Sequence, residues 1–252
     1  MKSIILTLIL GIAPIGFAAT YVGNGNSGFG GVLGTGSLTV TDNGSDVTFT
    51  FTKGSGSFND YLVVYFDSPS VTSGSTILDT SGDIGGPFGG RRAVVNEFGS
   101  GISSFGSGFT ASHAFALASN ASQSNHLFSI ADNSTNAGGL GFVNTYSVSN
   151  FGSTSATTYT WTIPFADLGL TPGVSANDTF QFVATYLNPF SGAGSDSSFR
   201  SDEAIGATGS GNPGFNDFAF TSSFTYTVTP EPSRMVLVLA GLVGAMGRRR
   251  RD

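Results

Sequence analysis

The amino-acid sequence predicts an all-β protein, an antiparallel β-sandwich of the jelly-roll type. In several segments apolar and polar residues alternate with a period of two, as in strands that bury one face. Glycine accounts for 37 of the 252 residues; it suits turns, whereas inside a helix each glycine costs about 1 kcal/mol relative to alanine. Turn residues separate the alternating segments, and about ten short strands with such spacing are typical of one antiparallel sandwich.

The strand pattern is clearest in residues 46–52, where Val47, Phe49 and Phe51 point to one side and three threonines to the other. Residues 61–66 are continuously apolar, which predicts an interior strand covered on both sides. The remaining predicted strands are residues 37–41, 93–97, 112–117, 127–131, 142–149, 158–163, 180–186 and 218–228. Residues 191–213 are rich in Gly, Ser and Asp, and we expect a long surface loop there.

Composition limits the function. Between Ala19 and Pro232 there are four basic and fifteen acidic residues, so the body has a net charge near −11. Such a surface repels nucleic acid and anionic lipid and tolerates divalent cations. The chain has no cysteine, which excludes disulfides, thiolate zinc sites and a cysteine nucleophile.

The N-terminus has the pattern of a Sec signal peptide, residues 1–18, with a helical apolar core. Lys2 precedes an apolar run, and small residues close the segment, as signal peptidase requires. We place cleavage after Ala18, or alternatively after Ala19. The Sec translocon and signal peptidase are the partners that follow, and the body, residues 19–229, is expected outside the cytoplasm.

The C-terminal segment, residues 230–252, has three parts in order. Pro230, Glu231 and Pro232 come first, and a short uncharged stretch follows Arg234. As a helix it covers about 20 Å of a hydrocarbon core of about 30 Å, and the arginines behind it keep that end in the cytoplasm. The residues of this membrane segment and stop are Met235, Leu237, Leu239, Leu242, Arg248, Arg249, Arg250 and Arg251.

This arrangement resembles the PEP-CTERM sorting domain. The resemblance covers about the last 24 residues, and Arg234 departs from it because the family usually has an uncharged residue there. It implies a Gram-negative bacterium that makes exopolysaccharide, transient anchoring in the inner membrane, and cleavage near Pro230–Pro232 by an exosortase. The alternative is a plain tail anchor.

A second resemblance concerns the body. Residues 62–67, Leu-Val-Val-Tyr-Phe-Asp, and residues 159–169, Tyr-Thr-Trp-Thr-Ile-Pro-Phe-Ala-Asp-Leu-Gly, are similar to segments of family 9 carbohydrate-binding modules and DOMON-like sandwiches. Pro164 should end the strand's hydrogen bonding, and Asp167-Leu168 should form a single turn that places Leu168 under the sheet. The resemblance supports the jelly-roll-type fold more than sugar binding.

Few residues are suited to catalysis. The two histidines, His113 and His126, are expected to be surface or packing residues, and Ser55 lies in a glycine loop that lacks the features of a nucleophile elbow. Asp202 and Glu203 are adjacent, and neighbours in an extended loop point apart. We therefore predict a protein that is not an enzyme, with a glycan hydrolase as a weak alternative.

Two ligand hypotheses remain. Asp79 and Asp83 surround a glycine turn and offer oxygen ligands for calcium, with residues 132–136 as a weaker candidate; the alternative is a solvated turn. No other cofactor is predicted. Sugar binding would require exposed aromatic rings, and Trp161, the single tryptophan, shares the strand phase of Tyr159 and Ile163, which favours the core. Four loop phenylalanines are further candidates for exposure, namely Phe88, Phe105, Phe109 and Phe190.

The function predicted from the sequence is therefore that of an exported cell-surface or extracellular-matrix protein with a structural or interaction role. Its expected partners are exopolysaccharide or other matrix proteins. A carbohydrate-binding protein, with or without calcium, is the alternative.

Overall fold

The computed structural model describes residues 18–69, 71, 89–94, 98–100, 102–118, 125–130, 140–171, 179–189, 197–208 and 217–228. The protein is all-β in these regions, and most strand pairs are antiparallel. One short helix, α1 (Gly89–Val94), and one 3-10 helix (Phe165–Leu168) accompany the strands. The strands are β1 Ala19–Val22, β2 Ser37–Asp42, β3 Asp46–Thr52, β4 Tyr61–Asp67, β5 Phe98–Ser100, β6 Ile102–Ser104, β7 His113–Ala118, β8 Asn125–Ile130, β9 Leu140–Thr145, β10 Thr158–Pro164, β11 Thr179–Pro189, β12 Ser197–Ile205, β13 Ala207–Thr208, β14 Phe218–Ser222 and β15 Phe224–Thr227.

A four-stranded antiparallel sheet has the order β1-β2-β3-β10. Strands β2, β3 and β10 alternate between buried, mainly apolar residues and more exposed, mainly polar ones, although the buried residue at the end of β2 is Asp42. Trp161 pairs with Phe49 in the register of β10 and β3, and Phe49 pairs with Val40 of β2. One face of this sheet therefore belongs to the core and the other is open, as the period of two predicts.

The second sheet has eight strands in the order β5-β12-β11-β4-β7-β8-β9, with β15 also paired to β11. Its central strand β4 is buried at six consecutive positions, 61–66. This confirms the prediction of an interior strand covered on both sides.

The main core lies between these two sheets. It contains apolar residues from β2, β3 and β10 on one side and from β4, β7 and β11 on the other. Aromatic rings fill much of it: Trp161 stacks on Phe49 with ring centroids 5.5 Å apart and on Phe115 at 5.0 Å. Burying each such ring stabilises the fold by roughly 1.5–3 kcal/mol.

A second apolar cluster covers the outer face of the eight-stranded sheet. Tyr61, Val63 and Tyr65 of β4 contribute to it, together with residues of α1, β6 and β14. Strands β13, β14 and β6 form a small third sheet in this layer. Within the described residues, the central strands of the eight-stranded sheet are thus covered on both sides, whereas the four-stranded sheet is covered on one.

Several strand predictions are confirmed, and two local predictions are wrong. Residues 93–94 belong to α1 rather than to a strand, because Ala93 and Val94 pack as part of a helix on the outer face of the sheet. The expected surface loop at 191–213 contains the strands β12 and β13. Strand β12 was missed because its buried residues are mainly polar and charged.

The turn predicted after Pro164 is present. Residues Phe165–Leu168 form the 3-10 helix, Gly169 follows in the left-handed conformation with φ 70°, and Leu168 is fully buried in the main core. An added Cβ at Gly169 would lie 2.3 Å from a methyl carbon of Val71. Glycine is therefore required here for both its conformation and its size.

The described residues include no helix that is long and apolar enough to cross a membrane. The predicted signal helix and the predicted membrane helix lie outside the described residues, apart from Ala18, which is exposed immediately before β1.

Candidate functional site: the threonine face

The open side of the four-stranded sheet carries a regular array of hydroxyl groups, which we call the threonine face. It arises because most outward residues of β1, β2, β3 and β10 are Thr or Ser, while most of the residues between them face the core. β-branched threonine suits such a half-exposed pleated surface. The threonine face consists of Thr20, Ser37, Thr39, Thr41, Thr48, Thr50, Thr52, Thr158, Thr160 and Thr162.

The strand register arranges these side chains in rows across the sheet. In the middle row Thr20 is opposite Thr39, Thr39 is opposite Thr50, and Thr50 is opposite Thr160. A second row joins Thr41, Thr48 and Thr162, and a third joins Ser37, Thr52 and Thr158. Neighbours lie about 4.8 Å apart across strands and roughly 6.7 Å apart along a strand.

The hydroxyl groups pair across the strands. The Oγ1 atoms are 2.9 Å apart in Thr20–Thr39, 2.8 Å in Thr48–Thr162 and 3.1 Å in Thr50–Thr160. Each hydroxyl has one donor hydrogen and two acceptor lone pairs. A pair uses one donor and one lone pair internally, so one donor and three lone pairs remain for a ligand or for water.

The threonine face is almost free of charge. Among the outward residues of its four strands the one ionisable side chain is Asp46, at a corner opposite Pro164. The exposed apolar side chain of Val22, 67% accessible, lies at the edge in β1, where it pairs with Ser37. This surface therefore suits a ligand that is bound by hydrogen bonds and methyl contacts rather than by ion pairing.

The carboxyl groups of β12 have a different role. At residues 201–203 the strand bulges relative to β11, because Thr185 pairs with Ala204 and Leu187 with Arg200. Glu203 is fully buried there. Its two carboxylate oxygens accept four backbone N–H groups of the loop between β1 and β2, at Phe29 (2.7 Å), Gly31 (2.8 Å), Leu33 (2.8 Å) and Gly34 (3.2 Å).

The loop approaches too closely for other residues at some positions. A Cβ at Gly34 would lie 1.8 Å from the carbonyl oxygen of Asn26, so only glycine fits. Asn26 in turn donates from its side chain to the carboxylate of Asp202 at 2.7 Å. Asp202 and Glu203 together therefore attach this glycine-rich loop to the eight-stranded sheet, in a chain without disulfides.

The remaining charged residue of this group, Arg200, is also fully buried. Its guanidinium donates to the carbonyl oxygen of Ala93 in α1 at 2.8 Å and to the hydroxyl of Thr185, and it lies 5.9 Å from the ring centroid of Tyr65. It thereby connects β12, β11 and α1. These contacts explain how so polar a strand is accommodated in the interior.

A second polar cluster surrounds the 3-10 helix. The hydroxyl of Tyr146 and the side-chain amide of Asn144 both donate to the carboxylate of Asp167, while His113 lies 3.1 Å from the Ser112 hydroxyl through its Nδ1. Ser112 is buried, donates to the carbonyl of Phe66 and accepts from the N–H of Ser68. The hydroxyl thus takes part in backbone contacts, and it is not placed as an exposed nucleophile.

Burial lowers the pKa of His113 to about 4, and the nearby charge of Asp167 opposes this shift. A histidine whose folded pKa lies below its unfolded value of 6.5 supports the fold above that value, and this contribution is lost as the pH falls from 6.5 towards 4. Burial also raises the pKa of Asp60, to about 6, and this partly exposed carboxyl acts in the opposite direction. Because these two contributions to the pH dependence of stability oppose each other, a substitution of His113 is needed to measure its share alone.

We predict that His113→Asn flattens the acid dependence of stability. Between pH 7 and pH 4.5 the wild-type protein should lose about 2–3 kcal/mol more than the variant in the free energy of unfolding, since each pKa unit corresponds to about 1.4 kcal/mol. Urea unfolding at both pH values measures this difference. Equal slopes for both proteins would show that folding leaves the pKa of His113 unchanged.

The structure locates some of the residues singled out by the sequence. Trp161 is 1% exposed and lies in the main core, so its ring offers no platform for a sugar. Phe105 and Phe109 are each 1% exposed in the second cluster; the expectation of exposure was wrong because the outer layer covers them. His126 lies on β8 with its Nδ1 2.8 Å from the Thr145 hydroxyl.

Other predicted site residues lie outside the described residues: the calcium candidates Asp79, Asp83 and 132–136, the sorting segment 230–252, Phe88 and Phe190. Calcium binding there stays a prediction. In the part of the chain that the structure describes, no three His, Asp or Glu side chains are grouped so that they could hold a metal ion.

Comparisons of the chain with protein-family models, with curated proteins and with solved structures found no match. The alternation within β3 and within β10 follows from the sequence, but the meeting of their threonines on one face does not. The signal that could have revealed it is the repeated Thr-x-Thr in three separate strands. The repeat by itself does not show that the threonines share one face. They do so because β10 pairs with β3, which is more than one hundred residues away in the chain.

Proposed function

We propose that the protein is exported, passes through a transient inner-membrane stage and acts at the cell surface or in the extracellular matrix as a non-catalytic interaction protein. Its body would be a jelly-roll-like sandwich. The observation that carries the interaction role is the threonine face, an open and almost uncharged surface of the four-stranded sheet. The export and sorting steps rest on the two terminal segments of the sequence.

The boundaries of the sheets are compatible with this processing. Ala18 is exposed and Ala19 is the first residue of β1, so cleavage after Ala18 leaves β1 intact, whereas cleavage after Ala19 would remove its first residue. At the other end, β15 ends at Thr227, and Val228 is still buried. Cleavage near Pro230–Pro232 would therefore spare all the described strands.

The chemistry of the buried acids does not favour the hydrolase alternative. A glycosidase requires two carboxyl groups that reach a substrate from opposite sides. Asp202 and Glu203 are both fully buried and are hydrogen-bonded to the loop between β1 and β2. Their arrangement is that of structural groups that fix a loop.

The sorting step can be tested by changing the Pro-Glu-Pro motif. We predict that the triple variant Pro230→Ala/Glu231→Ala/Pro232→Ala stays membrane-bound and keeps Arg248–Arg251, whereas the wild-type body is released from the arginine tail. The experiment expresses the full chain in a Gram-negative host with an exosortase and determines the C-terminus of the body by mass spectrometry. The matched control is Ser233→Ala, which should be processed normally.

Two results would contradict the proposal. One is full-length wild-type protein, still with its arginine tail, in the cytosol of that host. The other is identical processing of the wild-type protein and the triple variant, which would mean that the motif is not the signal.

A further inference from the structure

We propose that the threonine face binds an uncharged polysaccharide. This deepens the proposed function, on which it rests for its setting, since an exported matrix protein meets such polymers. The binding itself follows from the chemistry and dimensions of the surface, and it can be measured without export.

Hydrogen-bonding capacity is the first argument. After internal pairing each Thr–Thr pair retains both a donor and several acceptor sites, as in Thr48–Thr162 and Thr50–Thr160. Sugar hydroxyls have the same dual character, so the two partners can exchange hydrogen bonds in either direction. The methyl groups between the hydroxyls provide apolar contact for the C–H surfaces of a sugar ring.

The second argument is charge. Asp46 at the corner is the one ionisable outward side chain of the four strands, and the body as a whole is acidic. A polyanion would be repelled by the body, and a polycation would find little to pair with on this face. An uncharged polymer avoids both penalties.

Dimensions argue against a second copy of the protein as the occupant. Four strands about 4.8 Å apart and three rows roughly 6.7 Å apart give the threonine face an area of roughly 400 Å². A standard protein interface requires about 800 Å² on each partner. A narrow polymer that lies across or along the rows requires far less contact per sugar unit and can repeat the contact along its length.

Ice is the other partner that presents regular hydroxyl-type sites. A crystal surface is flat and rigid, whereas neighbouring strands are rotated by about 20–25° relative to one another. The four strands of this sheet would lose registry with a flat lattice after few spacings. A polysaccharide chain can rotate about its glycosidic bonds and follow the twist.

The test uses the full-length chain solubilised in mild detergent, so that it does not depend on sorting. The probes are dextran, galactomannan and curdlan in affinity electrophoresis, and microcrystalline cellulose in a sedimentation assay. The variant Thr50→Val/Thr160→Val keeps the β-branched shape and removes two central hydroxyls. The control Thr225→Val/Thr227→Val makes the same exchange at exposed positions of β15 on the other sheet.

We expect the wild-type protein to bind at least one probe and the Thr50/Thr160 variant to bind it about five- to twenty-fivefold more weakly, because it loses one or two hydrogen bonds to the ligand, each worth about 1 kcal/mol or a factor of five. Thr50→Ser/Thr160→Ser should retain most of the binding, and the control variant all of it. Circular dichroism and thermal melting establish that each variant is folded.

Three results would overturn the inference: no binding of the wild-type protein to any of the probes, binding that the Thr50/Thr160 variant leaves unchanged, or partition into growing ice that this variant abolishes. The last result would assign the threonine face to ice. None of these results bears on the Pro-Glu-Pro experiment, so failure of the ligand assignment and failure of the sorting proposal are distinguishable.

Discussion

Replacing Glu203 by alanine will lower the free energy of unfolding by about 4 kcal/mol, a loss well above that of an average substitution. The carboxylate is fully buried and accepts four backbone N–H groups from Phe29, Gly31, Leu33 and Gly34. Alanine would leave these donors without an acceptor, and each buried unpaired group costs about 1–3 kcal/mol. Relaxation of the loop and entry of water should recover part of the sum.

Urea unfolding of the purified protein measures this loss. Glu203→Gln should cost about 2 kcal/mol, since its carbonyl oxygen still accepts hydrogen bonds while its amide group faces other donors. The control is Asp46→Asn, which changes a half-buried carboxylate with one side-chain partner, Asn43 at 3.2 Å, and should cost less than 1 kcal/mol. A similar effect for Glu203→Ala and the control would refute the structural role of Glu203.

The large effect expected at Glu203 was not visible in the sequence, and the reason is physical. Strand prediction depends on local alternation, and residues 197–205 show mostly polar side chains. The polar residues 200–203 are buried because their partners are distant in the chain: Glu203 meets the loop at 29–34, and Arg200 meets Ala93 and Thr185. Contacts between residues so far apart cannot be predicted from the local sequence pattern.

The strands with strict alternation behaved differently. In β3 and β10 the apolar residues alone determine which face enters the core, so the bounds 46–52 and the phase of Trp161 could be predicted. The continuous apolar run of β4 likewise predicted burial on both faces. The helix α1 could not be predicted because a helix of six residues with two glycines has almost no local signal.

The outward direction of the threonines in the candidate site could be predicted from the sequence, but their arrangement in rows could not. The outward phase of Thr48, Thr50, Thr160 and Thr162 follows from alternation. Their assembly into rows requires the pairing of β3 with β10, which is set by tertiary packing and not by either strand alone. A face composed of residues from four strands is therefore a property of the topology: its residues can be assigned from the sequence, but their arrangement cannot.

Trp161 belongs to the core of the domain and not to its proposed ligand surface. Although tryptophan is the usual platform for sugars, Trp161 is 1% exposed and stacks on Phe49 and Phe115, one from each sheet. We predict that Trp161→Ala lowers the free energy of unfolding by about 4 kcal/mol, because it removes a large buried side chain and leaves a cavity.

Trp161→Phe should be far milder. The indole Nε1 is buried without a hydrogen-bond partner, so phenylalanine removes an unsatisfied donor, which offsets part of the lost packing, and we expect a net cost of about 1 kcal/mol. Urea unfolding of both variants measures the two values, and affinity electrophoresis of the folded Trp161→Phe protein should show unchanged polysaccharide binding.

If Trp161→Phe abolished binding while leaving stability intact, the ring would belong to a ligand site and the division between core and threonine face would be wrong. If instead Trp161→Phe were as destabilising as Trp161→Ala, the indole would be held by a contact that the packing of Phe49 and Phe115 does not explain.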